Sequence, residues 1–260
     1  RKRNKGNDFL ILKLGRPGTI HKVDIDTSYF NGNQPSKVSL DACYSKNKLP
    51  NKNSKWTNIL SKKKTKPNSH HFFNIKNKSI FTHIKLNIYP DGGVARIRVY
   101  GKMIAKKKFG NKIINLTSVL NGATPIACNN EHFGRAENIL APGVGKNMGD
   151  GWETRRSRGK NFDWLIIKLG NPGIVNKIEV DTHHFKGNYP DSCTIQAAYI
   201  TKKISNYSIV KKSNKWKKLF NKVKLSAHKK HNFINKMLKK DKTNYLRINI
   251  YPDGGISRIR

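Results

Sequence analysis

Residues Asn87–Arg98 read NIYPDGGVARIR, and residues Asn249–Arg260 read NIYPDGGISRIR. Ten of the twelve positions are identical, and the two exchanges (Val94 against Ile256, Ala95 against Ser257) are mild. Each copy reads as strand, tight turn, strand. Pro90 presets φ at the first central position of the turn and Asp91 suits the second. Gly92-Gly93 then permit the positive φ that hairpin closure requires. In the strand that follows, Ile97 points to one face while Arg96 and Arg98 share the other. Ile259, Arg258 and Arg260 repeat that arrangement. The reading sets a carboxylate, Asp91 or Asp253, close to a pair of guanidinium groups once per copy.

The repetition extends well beyond this stretch. DFLILKLGRPGTIHKVDIDTSYFNGNQP (8–35) lies over DWLIIKLGNPGIVNKIEVDTHHFKGNYP (163–190) at an offset of 155. Trp56 lies over Trp216 at an offset of 160, and the two NIYPDGG copies are 162 apart. Small insertions in lysine-rich segments account for the drift, so one structural unit is used twice, unlike a short-period solenoid. Within each unit, FLILKLG and WLIIKLG are apolar runs suited to strands buried in a sandwich core. KVDID alternates, with Val23 and Ile25 inward and Asp24 and Asp26 on the opposite face; KIEVD does the same with Glu179 and Asp181. Asp26 and Asp181 read as solvent-facing or loop-capping residues.

Turn signals at short spacing, with almost no helical periodicity, predict an all-β chain of two tandem antiparallel sandwiches of jelly-roll type. A parallel βαβ architecture is not expected because no crossover-helix pattern occurs. The expected division is 1–105 for the first sandwich and 106–260 for a linker and the second. Arg1 aligns with Arg156, so the segment EHFGRAENILAPGVGKNMGDGWET has no partner in the first repeat. The second repeat stops at Arg260, where the first continues VYGK. The first unit is thus expected to lack its N-terminal part, the second its C-terminal end, and the chain to be an internal portion of a longer one.

Composition bounds the partners. A chain of 260 residues can bury a good core and is most simply two domains. Its net charge is +38, but of 53 basic residues only 12 are Arg. The lysines cluster with asparagine in 46–71 and 202–224, as expected of solvated surface loops. Sequence-specific readers of nucleic acid lean more on Arg and aromatic platforms, so a nucleic-acid partner is not expected. No apolar run approaches the ~18 residues of a membrane span, and no signal peptide opens the chain. Cys43, Cys128 and Cys193 lack CxxC spacing and leave an odd one over, which fits a reducing compartment. A cytoplasmic location is expected, with a peroxisomal one left open.

Standard catalytic signatures are missing: there is no GxSxG, HExxH or GxxxxGK[ST]. His183 and His184 are adjacent on a strand or strand end and are expected to point apart, which suits no shared metal. His70-His71 and His228/His231 fall in basic loops. No metal ligands and no cofactor are expected, although a divalent metal stays open. The better constellation is acid beside arginine. GDGWETRR supplies Asp150 and Glu153 next to Arg155 and Arg156, in a segment that also holds Glu131, His132, Arg135 and Arg158. Arginine forks grip carboxylates bidentately, and a neighbouring carboxylate can act as general acid or base. For Asp91 and Asp253 the alternative is ordinary turn chemistry, with structural ion pairs at the sandwich rim.

EHFGRAENILAPGVGKNMGDGWETRRSRGKNFDWLIIKLGNPGIV, VDTHHFKGNYPDS and RINIYPDGGISRIR resemble, in order and spacing, the motifs of the allantoicase family. DIDTSYFNGNQP and LNIYPDGGVARIRVYG do likewise in the first half, and only the two lysine-rich stretches fall outside the resemblance. The resemblance implies two repeated jelly-roll domains akin to galactose-binding-like sandwiches, assembled as a homo-oligomer. It implies hydrolysis of allantoate to ureidoglycolate and urea in purine (allantoin) degradation. On that reading Glu153 serves as acid or base with His132 or Asp150 assisting. Arg155, Arg156 and Arg258 grip the substrate, with Asp253, Asp91 and Arg96 as further substrate-binding residues. A basic field would help steer a carboxylate substrate. Two other classes remain: a catalytically degenerate homologue that binds a small ligand or carbohydrate, and a basic nucleic-acid binder using 46–71 and 202–224.

Overall fold

The computed structural model describes residues 6–104, 112–157, 161–234 and 241–260. The chain forms two compact units, the first running to Ile104 and the second to Arg260. The junction expected at 105/106 lies outside the described residues, as does Arg158.

Among the described residues the first unit has six strands: β1 (Asp8–Asp26), β2 (Lys37–Cys43), β3 (Thr57–Lys64), β4 (His70–Asn74), β5 (Phe81–Tyr89) and β6 (Arg96–Met103). Strand β1 serves two layers. Its Asp8–Lys13 half pairs antiparallel with β5, its register shifts between Lys13 and Gly18, and its later half pairs with β4 and β6. One layer therefore runs β3-β2-β5-β1, and the same strand continues into the other, between β4 and β6. Val23, Ile25, Val38, Leu40 and Ile84 fill the space between, each almost wholly removed from water. Burial of such a side chain contributes roughly 1.5–3 kcal/mol.

The second unit repeats this plan with ten strands among the described residues. They are β7 (Thr124–Cys128), β8 (Trp152–Glu153), β9 (Asp163–Ile174), β10 (Ile178–Asp181) and β11 (Ser192–Ala198). There follow β12 (Lys217–Lys224), β13 (Lys230–Phe233), β14 (Lys242–Tyr251), β15 (Gly255–Ile256) and β16 (Arg258–Ile259). One sheet runs β12-β11-β14-β9-β7, the facing sheet β13-β10-β16, and β8 pairs with β15. Leu165 and Ile167 of β9 point into a core that also holds Trp152, Ile139 and Leu140. Ile166, on the opposite face, packs with Ile209 and Tyr245, flanked by Trp164 and Trp216.

Three expectations are corrected. YPDGG does not close a hairpin in either unit. β5 and β6 pair with different halves of β1, and β14 and β16 lie in different sheets, so each copy carries the chain from one layer to the other. The glycines serve that crossing. Gly92 and Gly254 have φ of 130° and 129°. A Cβ on Gly93 would fall inside the ring of Phe30, and one on Gly255 inside that of Phe185. Gly93 N–H donates to the Asn33 carbonyl and Gly255 N–H to that of Asn188, both at 2.8 Å. YPDGG and the F-x-G-N-x-P loop are thus two halves of one packing contact, which explains why they repeat together.

The lysine-rich stretches are not only loops, because β3 and β12 lie within them at sheet edges. Lysine along an edge discourages pairing with another chain. The second stretch also holds a helix, α1 (Asn206–Ser213), started by Ser205, whose Oγ accepts the Ser208 N–H. Finally, Asp26 and Asp181 cap loops, accepting the N–H of Ser28 and His183 at 2.9 Å, but both are buried. Among the described residues no helix is long and apolar enough to cross a membrane.

Candidate active site

GDGWETRR runs antiparallel beside the second YPDGGISRIR. Glu153 pairs with Gly255 and Trp152 with Ile256. Thr154 Oγ1 accepts the Gly254 N–H at 3.0 Å, and Asp253 accepts the Ser157 N–H at 2.6 Å. The expected pairing of Asp253 with Arg258 is therefore replaced. Arg258 is buried, and its Nη1 donates to the carbonyls of Asp150 at 2.5 Å and Ser257 at 2.6 Å. Asp150 accepts the Lys146 N–H at 2.7 Å. Both residues hold the loop at 143–150, as does Arg260 through the Gly143 carbonyl at 2.6 Å.

The alternation of a strand sets out the chemistry of the next residues. Trp152 and Thr154 are buried, whereas Glu153 is half-buried and Arg155 exposed. Glu153 and Arg155 thus share the outer face. Gly134 bridges Glu153, so His132, two residues earlier, falls opposite Arg155. Arg155 Nη2 lies 3.5 Å from His132 Nδ1. Asn188, from the F-x-G-N-x-P loop, donates its Nδ2 to Glu153 Oε1 at 2.5 Å and fixes that carboxylate. An acid, an imidazole and a guanidinium are thereby gathered on one face.

Arg155 also borders a polar cleft of about 570 Å³ with Arg156, Asn129, Asn130, Asp163 and Trp164. Asp163 accepts from Asn129 Nδ2 at 2.7 Å through Oδ1, while its buried Oδ2 has no hydrogen-bond partner among the described residues. Neither Asn188 nor Asp163 is among the site residues expected from the sequence. Asn188 was open to discovery, because FNGNQP and FKGNYP keep the asparagine in both repeats. Asp91 and Arg96 belong to the first unit. There Arg98 takes its carboxylates from Asp24 at 2.8 Å and Asp26 at 3.5 Å, and Arg96 is exposed.

The expectation that His183 and His184 point apart is also corrected. His184 has φ of 74°, which ends the strand alternation and brings the two rings to 4.3 Å. His228 joins them, its ring 4.0 Å from that of His183. His70, His71 and His231, read as loop residues, lie in β4 and β13. Burial raises all three cysteine thiols, Cys43 included. Burial, reinforced by Glu131, pushes the Cys128 thiol up to about 11, and burial alone pushes Cys193 up to about 12.

Two jelly-roll units, the second presenting an acid, an imidazole and an arginine beside a polar cleft, define a tandem β-sandwich protein with a site suited to a small anion. The allantoicase repeat matches residues 1–104 and 114–260. A probable allantoicase from Photobacterium profundum is 48% identical over 262 residues, covering 100% of this chain and 79% of its own. One from Pseudomonas fluorescens is 47% identical over 264 residues, with the same coverage. The crystal structure of allantoicase from Saccharomyces cerevisiae aligns with a TM-score of 0.81 at 36% identity, covering 100% of this chain and 78% of that one. The chain belongs to the allantoicase family.

Proposed function

We propose that this protein hydrolyses allantoate to ureidoglycolate and urea, with Glu153, His132 and Arg155 of the second unit at the reacting centre. It is a hydrolase of a carbon–nitrogen bond in a linear ureido compound, and its substrate is a small molecule. Whole-chain identity of 48% to a probable allantoicase carries the reading. The single face that gathers Glu153, Arg155 and His132 supports the assignment of roles.

Allantoate carries one carboxylate and two ureido groups on a single carbon. Net reaction adds water across one carbon–nitrogen bond: hydroxyl goes to the carbon and a proton to the departing urea nitrogen. Arg155 offers a fork for the carboxylate, with Arg156 at the cleft beside it. Glu153, held by Asn188, takes the proton from the attacking water and returns it to the leaving nitrogen. His132, beside Arg155, is the second proton-transfer group. Asp150 and Arg258 act one step back by holding the loop at 143–150. The purified chain is expected to release one urea and one ureidoglycolate per allantoate consumed. A folded protein that consumes no allantoate would overturn this reading.

A further inference from the structure

The second unit carries three imidazoles where the same backbone in the first unit carries none. His183, His184 and His228 take the places of Ser28, Tyr29 and Asn68, and the frames match closely. Tyr29 and His184 both have positive φ (69° and 74°), as do Asn68 and His228 (44° and 50°). Asn68 Oδ1 accepts the Tyr29 N–H at 2.9 Å, and His228 Nδ1 accepts the His184 N–H at 2.9 Å. Thr27 and Thr182 donate to the carbonyls of Ser69 and Lys229, both at 3.0 Å. The loop therefore folds without histidine, and its geometry does not explain why three are present.

We infer that His183, His184 and His228 form a binding site for a borderline divalent cation of the Zn²⁺ class. One ring nitrogen from each lies within 4.8 Å of the others. His184 is already oriented as a ligand, since its Nε2 lies 2.8 Å from the Gly145 carbonyl and donates there. That leaves the Nδ1 lone pair free, and a metal-bound histidine commonly anchors its other nitrogen in this way. His183 is steadied through its backbone, which donates to the buried carboxylate of Asp181 at 2.9 Å. Coordination asks two things of the cluster. The nitrogens close to about 3.4 Å, as tetrahedral bonds of about 2.1 Å require. The His183 and His228 rings, now tilted by 33° with centroids 4.0 Å apart, turn to bring their nitrogens together.

The donor set also selects the ion. Neutral imidazoles suit Zn²⁺ or Ni²⁺, whereas Ca²⁺ and Mg²⁺ need oxygen ligands. The adjacent Lys186 and a net charge of +38 further disfavour a cation held by charge alone.

Calorimetric titration of the metal-stripped full chain with ZnCl₂ tests the site. One equivalent should bind, and CaCl₂ should give no heat of binding. His183→Ser and His228→Asn install the residues that the first unit tolerates on this frame, so the double variant keeps its fold, as circular dichroism checks. It should bind Zn²⁺ at least tenfold more weakly. Absence of Zn²⁺ binding by the parent chain would overturn the inference. So would one-equivalent binding that survives in the folded double variant, which would place the metal on other histidines.

Discussion

Phe9 and Trp164 occupy the same place in the two repeats, yet Phe9 is 60% exposed whereas Trp164 packs beside α1. The first unit's counterpart of the α1 stretch, within 46–71, holds no helix among the described residues. The second unit closes its inner face with Ile139, Leu140 and Trp152, and its outer face with α1. The segment that brings Trp152 inward presents Glu153 outward on the next residue. The packing of Trp152 and the outward placement of Glu153 are therefore set by one alternating run in the second unit.

Several substitutions sharpen this contrast. The largest effect should be common to both units. Gly93→Ala and Gly255→Ala each drive a methyl group into a phenylalanine ring and should cost about 2–3 kcal/mol in urea unfolding. A loss confined to one unit would break the claim that both copies use the motif for the same contact. Arg155→Ala should raise KM for allantoate about tenfold, equivalent to about 1.4 kcal/mol, whereas Arg96→Ala in the first unit should change it less than twofold. Ser205→Ala removes the cap of a helix that belongs to the second unit and should cost about 1 kcal/mol in the same assay.

The smallest effect is an acid limb in the first unit. Hydrogen bonds from Ser28, aided by His70 and Arg98, hold the Asp26 carboxyl below its usual 3.8. A depressed carboxylate stabilises the fold above the unfolded value and loses that contribution as pH falls toward the folded one. Stability should therefore decline below about pH 4, and Asp26→Asn should flatten the decline.

Much of this was legible in the sequence. The duplicated strands, the sandwich class and the run Asp150–Arg156 stand out because period-two patterning and repetition are local properties of the chain. Glu153 and Arg155 share a face by that same period. The crossing made by YPDGG was not legible, since Pro-Asp-Gly-Gly suits a hairpin equally well. Only the ring of Phe30 or Phe185, some sixty to seventy residues away, decides between them. Nor was the histidine cluster. His184 leaves the strand conformation because its N–H is claimed by His228, 44 residues later, and no local pattern announces that bond.

The measurement that bears most directly on the account is the kcat of urea release from allantoate by Glu153→Gln. Glutamine keeps an oxygen for Asn188 while removing the proton-transfer group, so the circular dichroism spectrum should match the parent and kcat should fall at least about 100-fold. A folded variant that turns over allantoate at the parent rate would contradict the claim that the outer face of this strand carries the chemistry.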